Sequence, residues 1–235
     1  MKRGALLLPA ALLLAGCAPR PLAALLQPPA PAAPVTAVSG DISRWSGGGG
    51  SIALTGPGGQ ALARAAVAPD GQFTLPLPDA GALAPVLTTP AAAVAALGCV
   101  GTVLSSDPAA RSYAFFGLTP QRSPTQEVFA AQAERTSFAT GAFSGRAYLY
   151  ADRPTRLSGT VDCGPVVQQF AGVQVAVPVT VDLTAQPGWN ALELSVGVQA
   201  SFSGVSAGGR LSAVGDSPRL WRTPEEVVQQ VTAGF

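Results

Sequence analysis

The sequence predicts a mainly β, antiparallel, sandwich-like protein, with one short helix near residues 90–97 and another near 224–232. Three observations carry this expectation. Glycine (27) and proline (22) are frequent enough to cut the chain into short pieces. Between those breaks apolar residues tend to alternate with polar or small ones, as in Tyr148-Leu149-Tyr150 and Val173-Gln174-Val175-Ala176-Val177. Helix start signals precede Pro90 and Pro224.

Taken in order, strands are expected at Val38–Trp45, Ser51–Thr55, Ala61–Val67 and Gln72–Leu77. The turn signals between them are Gly47-Gly48-Gly49-Gly50, Gly56-Pro57-Gly58-Gly59 and Pro69-Asp70-Gly71. Gly47–Ser51 reads as a hairpin loop rather than a flexible linker. Thr89-Pro90 opens the first helix, Pro90–Leu97: threonine caps, proline fits the first helical position, and Gly98 stops it. Strand character resumes at Cys99–Leu104 and Ser112–Leu118, around a turn at Asp107-Pro108. Gln126–Arg135 reads as a short helix inside a long connection. Phe143–Ala151, Arg156–Cys163, Gly172–Leu183 and Asn190–Ala200 read as strands, with Pro178 marking an edge or a bulge. Ser201–Ser206 and Arg210–Val214 read as a last hairpin around Gly208-Gly209. Thr223-Pro224-Glu225-Glu226 starts the C-terminal helix, with two acids at the positive end of its dipole and Val227, Val228 and Val231 as its apolar stripe.

The first strands carry a resemblance. Ser39-Gly40-Asp41-Ile42, Ser51-Ile52-Ala53-Leu54 and Asp70-Gly71-Gln72-Phe73-Thr74-Leu75-Pro76 resemble the transthyretin-like or carboxypeptidase-regulatory-like β-modules of bacterial surface proteins over residues 38–77. That resemblance implies a scaffold or spacer rather than an enzyme. Trp189, in Gly188-Trp189-Asn190, resembles a segment that opens a strand in bacterial surface β-domains.

The N-terminus carries a second resemblance. Lys2 and Arg3 precede an apolar run, Gly4–Leu14, which ends in Leu14-Ala15-Gly16-Cys17. The run is shorter than the roughly 20 apolar residues that span a bilayer. Leu14-Ala15-Gly16-Cys17 resembles the lipobox of bacterial lipoproteins. The resemblance implies cleavage before Cys17, a lipid on its sulfur, and a membrane partner held through that lipid. It implies a folded part outside the cytoplasm, in the cell envelope, and Ala18 after the cysteine leans toward the outer membrane. An ordinary signal peptide or a short signal anchor is the alternative. The expected organisation is a cleaved signal at 1–16, a lipidated Cys17 with a Pro/Ala-rich tether to 35, a small β-module at 36–88 and a larger β-domain at 89–235; 36–235 as a single domain is the alternative.

Composition narrows the chemistry. The chain has no histidine, and its only lysine is Lys2, within the signal. The expected mature chain therefore has no imidazole for base catalysis and no lysine for a Schiff base. Without Lys2 and Arg3, 13 acidic residues slightly outnumber the basic ones. Arg135, Arg146, Arg153 and Arg156 are spread out, so capture of nucleic acid is unsupported. Gly204-Val205-Ser206-Ala207-Gly208 matches the nucleophile-elbow pattern, but that chemistry needs a histidine, so the segment reads as a hairpin turn. Asp70, Asp162, Asp182 and Asp216 do not form a calcium loop. Trp45, Trp189 and Trp221 read as core residues. No cofactor and no metal is expected.

Cys99 and Cys163 are the cysteines left beside Cys17. In an oxidising envelope compartment they are expected to form one disulfide, two buried thiols being the alternative. The functional expectation is a non-enzymatic structural, assembly or binding module with an envelope protein or glycan partner. The alternatives are a carboxylate-dependent hydrolase of envelope glycans and a binder of an apolar or lipid ligand.

Overall fold

The computed structural model describes residues 34–46, 48–121, 126–172, 174–202 and 204–232. Residues 1–16, Cys17 and the tether up to residue 33 lie outside these, as does Ser203. The order along the chain is β1 (Ala37–Ile42), β2 (Gly50–Thr55), β3 (Ala61–Val67), β4 (Gln72–Pro76), α1 (Ala80–Leu83), a 3-10 turn (Ala84–Val86), α2 (Pro90–Ala95), β5 (Val100–Ser105), β6 (Ser112–Phe115), β7 (Gly117–Pro120), β8 (Val128–Phe129), β9 (Ala131–Arg135), β10 (Thr140–Ala151), β11 (Thr155–Asp162), α3 (Gly164–Ala171), β12 (Pro178–Ala185), β13 (Gly188–Ser201), β14 (Gly204–Ala213), β15 (Arg219–Trp221) and α4 (Pro224–Thr232). The protein is mainly β, as the glycine and proline breaks imply.

The strands form two sheets. One runs β15-β1-β4-β3-β2-β7-β8; the other runs β5-β11-β12-β14-β13-β10-β6, with β9 beside the first half of β10. Pairing is antiparallel except at β1–β15 and β12–β14. Reciprocal backbone hydrogen bonds between Phe129 and Arg222, both 2.8 Å, join the last strand of the first sheet back to the end of β15. The sheet therefore curls into a ring instead of leaving two open edges, which protects the strand hydrogen bonds.

Two cores result, and β10 serves both because its side chains alternate. Tyr148 and Tyr150 face the curled sheet and meet Phe115 and Trp189, with ring centroids 5.1 Å (Phe115–Tyr148) and 5.6 Å (Tyr150–Trp189) apart. Ala147, Leu149 and Ala151 face the other core, with Leu157, Leu192, Phe129, Phe170, Val166 and Val227. The core under β1–β4 is thus completed by Tyr113, Phe115, Tyr148, Trp189 and Trp221 from beyond residue 89, and residues 32–235 form one compact unit. Burial pushes the Tyr113 phenol up to about 12. It also raises Tyr148, helped by the Asp216 carboxylate that accepts its hydroxyl proton at 3.0 Å.

The punctuation read from sequence holds at several points. Thr89 Oγ1 accepts from Ala92 N, and Gly98 ends the segment at φ +91°. Thr223 Oγ1 accepts from Glu226 N while Glu226 Oε2 accepts from Thr223 N, a reciprocal capping box at the start of α4. Asp70 accepts from Gln72 N, and Gly71 turns at φ +92°.

Five expectations need correction. Gln126–Arg135 is not a helix. Ala131–Arg135 alternates buried and exposed positions and pairs with β10, so tertiary pairing overrides the helix preference of Ala, Gln and Glu. Gly172–Leu183 is not one strand: β12 begins only at Pro178, where a missing N–H costs no ladder bond, and α3 precedes it. Ser112–Leu118 breaks at Phe116, and its halves join different sheets. Gly47–Ser51 is not a hairpin loop, because β1 and β2 do not pair with each other. Gly208-Gly209 is mid-strand; the β13–β14 turn lies at 201–204, and a Cβ on Gly209 would stand 2.3 Å from Ser195 O.

Candidate functional site: an apolar pocket beneath two hairpin ends

The residues singled out by sequence scatter into structural roles. Cys99 and Cys163 are bonded, with Cα atoms 4.2 Å apart, and both are buried. Asp162 accepts from Val177 N (2.7 Å) and Gly164 N (2.9 Å), bonds that hold its carboxyl below the usual range and tie the ends of the α3 excursion together. Asp182 pairs with Arg156 at 3.0 Å, and Asp70 and Asp216 are engaged as described. Among the described residues no group of three or more acids, histidines or cysteines could hold a metal. Ser206 lies on β14, not in a strand-to-helix elbow; its hydroxyl points to Gln199 O at 3.5 Å. Trp189 and Trp221 are buried, and Trp189 Nε1 donates to Pro78 O.

The structure brings together a different set. β10, β13 and β14 are long; β10 and β13 join the core under the first sheet only at one end, through Tyr148, Tyr150, Trp189 and Ala191, and their other ends extend beyond it. There the face that carries the second core continues as Phe143, Val198 and Ala207. α3 and α4 pack beside that extension; the Gln230 side chain of α4 accepts from Ala133 N at 2.9 Å and pins the helix to β9. The helices do not fill the space above the sheet. A pocket of about 360 Å³ remains, lined chiefly by Phe143, Phe170, Val198, Val227 and Val231.

Its lining is overwhelmingly aliphatic and aromatic. Glu134 and Arg135 are the ionisable residues there, and the Arg135 guanidinium donates to Ser137 O (3.0 Å) and Phe138 O (3.2 Å) and lies 5.4 Å from the Phe138 ring centroid. Phe138, on the β9–β10 turn, is 90% exposed, and Phe202, on the adjoining β13–β14 turn, is fully exposed. The two turns are joined by Ala200 N donating to Ala139 O at 2.7 Å. Large apolar side chains at two adjacent turn ends, next to an apolar hollow, form a patch that water disfavours and a ligand or partner can cover. Sequence reading missed this site because its residues come from six separated elements. The only signal in the sequence was Phe138 and Phe202 standing among small polar turn residues.

Among the described residues no helix is long and apolar enough to cross a membrane. Comparison with protein-family models, with curated proteins and with solved structures finds no match to this chain.

Proposed function

We propose that the protein is a lipid-anchored envelope lipoprotein that works without enzymatic chemistry, as a module that holds an apolar ligand, a single acyl chain. The observation that carries this reading is the apolar pocket beside Phe138. Its volume falls within the about 300–1,000 Å³ of small-molecule sites. A lining with few polar groups suits a ligand that demands few hydrogen bonds. An acyl chain gains about 0.8 kcal/mol per buried CH₂. A micromolar Kd corresponds to about 8 kcal/mol, so roughly ten buried methylenes supply the gross energy before association costs. The lipobox-like Leu14-Ala15-Gly16-Cys17 supports the membrane address, where such chains are abundant.

Two measurements test the reading. Titration of cis-parinaric acid into the full chain should give saturable fluorescence with a micromolar Kd. Val198→Trp, which fills the pocket, should weaken binding at least tenfold, while Thr74→Ala, far away on β4, should not. Binding that never saturates, or that ignores Val198→Trp, removes the pocket from consideration. Separately, a palmitate analogue fed to expressing cells should label the wild type and not Cys17→Ala; equal labelling defeats the anchor.

A further inference from the structure

A second hollow lies where the C-terminal strand crosses the seam between the sheets. It measures about 230 Å³, and its polar lining is Gln132, Ser144, Arg146, Glu193, Arg219 and Arg222. Its character is the reverse of the apolar pocket's. In a chain where charged residues are 11% of the total, three arginines converge on one small space.

Their charges are poorly matched from within. The Arg146 side chain is 2% exposed; its Nη1 donates to Gly215 O at 3.0 Å and its Nη2 is 3.6 Å from Glu193 Oε2. Arg219 Nη2 lies 3.8 Å from the same oxygen. Charge-assisted N–H···O bonds normally close to about 2.7–2.9 Å, so the single carboxylate is shared at ion-pair range and tightly bonded to neither. The Nε atoms of Arg146 and Arg219 are buried with no acceptor. Arg222 Nη1 spends its bond on a neutral acceptor, Ala131 O, at 3.1 Å. Nearby Asp216 is taken by the Tyr148 hydroxyl. Even with Asp216 counted, the group keeps a formal positive excess. A self-contained structural arginine would be expected to close on its acceptors, because burying a charge without them is costly.

We propose that this hollow binds a phosphate group. Guanidinium groups from β10, from β15 and from the residue after it line one small space, and three such groups suit a phosphate, with its three or four acceptor oxygens, better than a carboxylate with two. The Ser144 hydroxyl and the Gln132 amide add neutral donors at the rim. The phosphate can arrive as the free ion or as the headgroup of an anionic phospholipid. The site lies on the sheet face opposite Phe143 and the apolar pocket, so the proposal does not rest on the acyl-chain reading.

The test uses the full chain in phosphate-free buffer, following the arginine Nε–H signals by NMR. Inorganic phosphate should shift the Arg146 and Arg219 signals saturably and leave Arg210, out on β14, unmoved. Arg219→Met replaces a side chain that is 36% exposed and should fold normally; phosphate binding should weaken at least tenfold, and Ser144→Ala should weaken it less. Vesicles of phosphatidylcholine with and without phosphatidylglycerol distinguish the sources. Co-sedimentation that requires phosphatidylglycerol and falls in Arg219→Met assigns the headgroup; shifts with inorganic phosphate and no vesicle binding assign the free ion. If neither probe shifts the signals saturably, or Arg219→Met binds as the wild type does, the proposal is wrong.

Discussion

Trp221→Ala is expected to destabilise the protein by about 3–5 kcal/mol, the range for truncating a large buried aromatic side chain. Trp221 has no exposed surface and meets Phe73 edge-on, with ring centroids 5.8 Å apart. It sits on β15, which has only three residues, and those carry the parallel pairing to β1. Backbone contact is close there: a Cβ on Gly40 would lie 1.9 Å from Arg219 O and 2.9 Å from the Trp221 ring. Ser43 N donates to Trp221 O at 2.7 Å, and Arg222 then closes the ring onto Phe129. The indole is therefore the weight that keeps a very short strand in place. Its Nε1 has no acceptor, so truncation loses packing and no hydrogen bond. Denaturant unfolding gives the magnitude, and hydrogen exchange should quicken first in β1 and β15. A loss below about 1 kcal/mol would mean the cavity collapses or water fills it, against the range for such sites.

That anchoring was not legible in the sequence, and the reason is physical. Trp221 stands in an unremarkable run, Pro218-Arg219-Leu220-Trp221, with no period to reveal a partner about 180 residues earlier. Local rules did read well where the signal itself is local. The cap at Thr223, the cap at Thr89, the Asp70-Gly71 turn and the alternation of Tyr148-Leu149-Tyr150 in β10 all depend on residues a few positions apart. The failures share one cause, competition between local preference and distant pairing. Ala131-Gln132-Ala133-Glu134-Arg135 prefers a helix but is held extended by β10. Gly172–Leu183 reads as one strand from the alternation at 173–177, yet the chain enters β12 only at Pro178, after α3, whose first turn carries Pro165 and whose excursion is tied at its two ends by the Asp162 bonds.

The two hollows were hidden for the same reason. The apolar pocket depends on the length by which β10 and β13 extend beyond the core under the first sheet, and on α4 docking through Gln230. The charged hollow depends on Arg146 and Arg219, which are distant in sequence and meet only because β15 returns to β1. In the linear order Arg146 looked like one of several dispersed arginines. What made it different was burial: the side chain is 2% exposed, where Arg156 is 64% exposed and pairs with Asp182 in water. An exposed pair of that kind contributes about 0–1 kcal/mol, so the ordinary arginines of this chain stabilise little, and the buried one constrains both the fold and any ligand.

Removing the disulfide should cost about 4 kcal/mol on the loop-entropy estimate for a closed loop of this size, Cys99 and Cys163 being 64 residues apart. At about 2–4 °C per kcal/mol for a chain of this length, Cys99→Ala with Cys163→Ala should lower Tm by about 8–16 °C. The double replacement leaves no buried thiol to re-pair and introduces no buried hydroxyl. The fold itself should survive, since the bond closes the end of a ladder that is already paired from Leu157–Ser105 to Asp162–Val100. What the sulfur bridge adds is a tie between the helical segments: Cys99 follows α2 through Gly98, and Cys163 immediately precedes α3. Its loss should therefore speed hydrogen exchange in α2 and α3 before the strands. Reductant supplies the control. Under denaturing conditions it should lower the wild-type midpoint to that of the double variant and leave the variant unmoved. A wild-type midpoint indifferent to reductant would mean that Cys99 and Cys163 are free in the native protein, and that the two helices are held by Val94, Val166 and Phe170 packing alone.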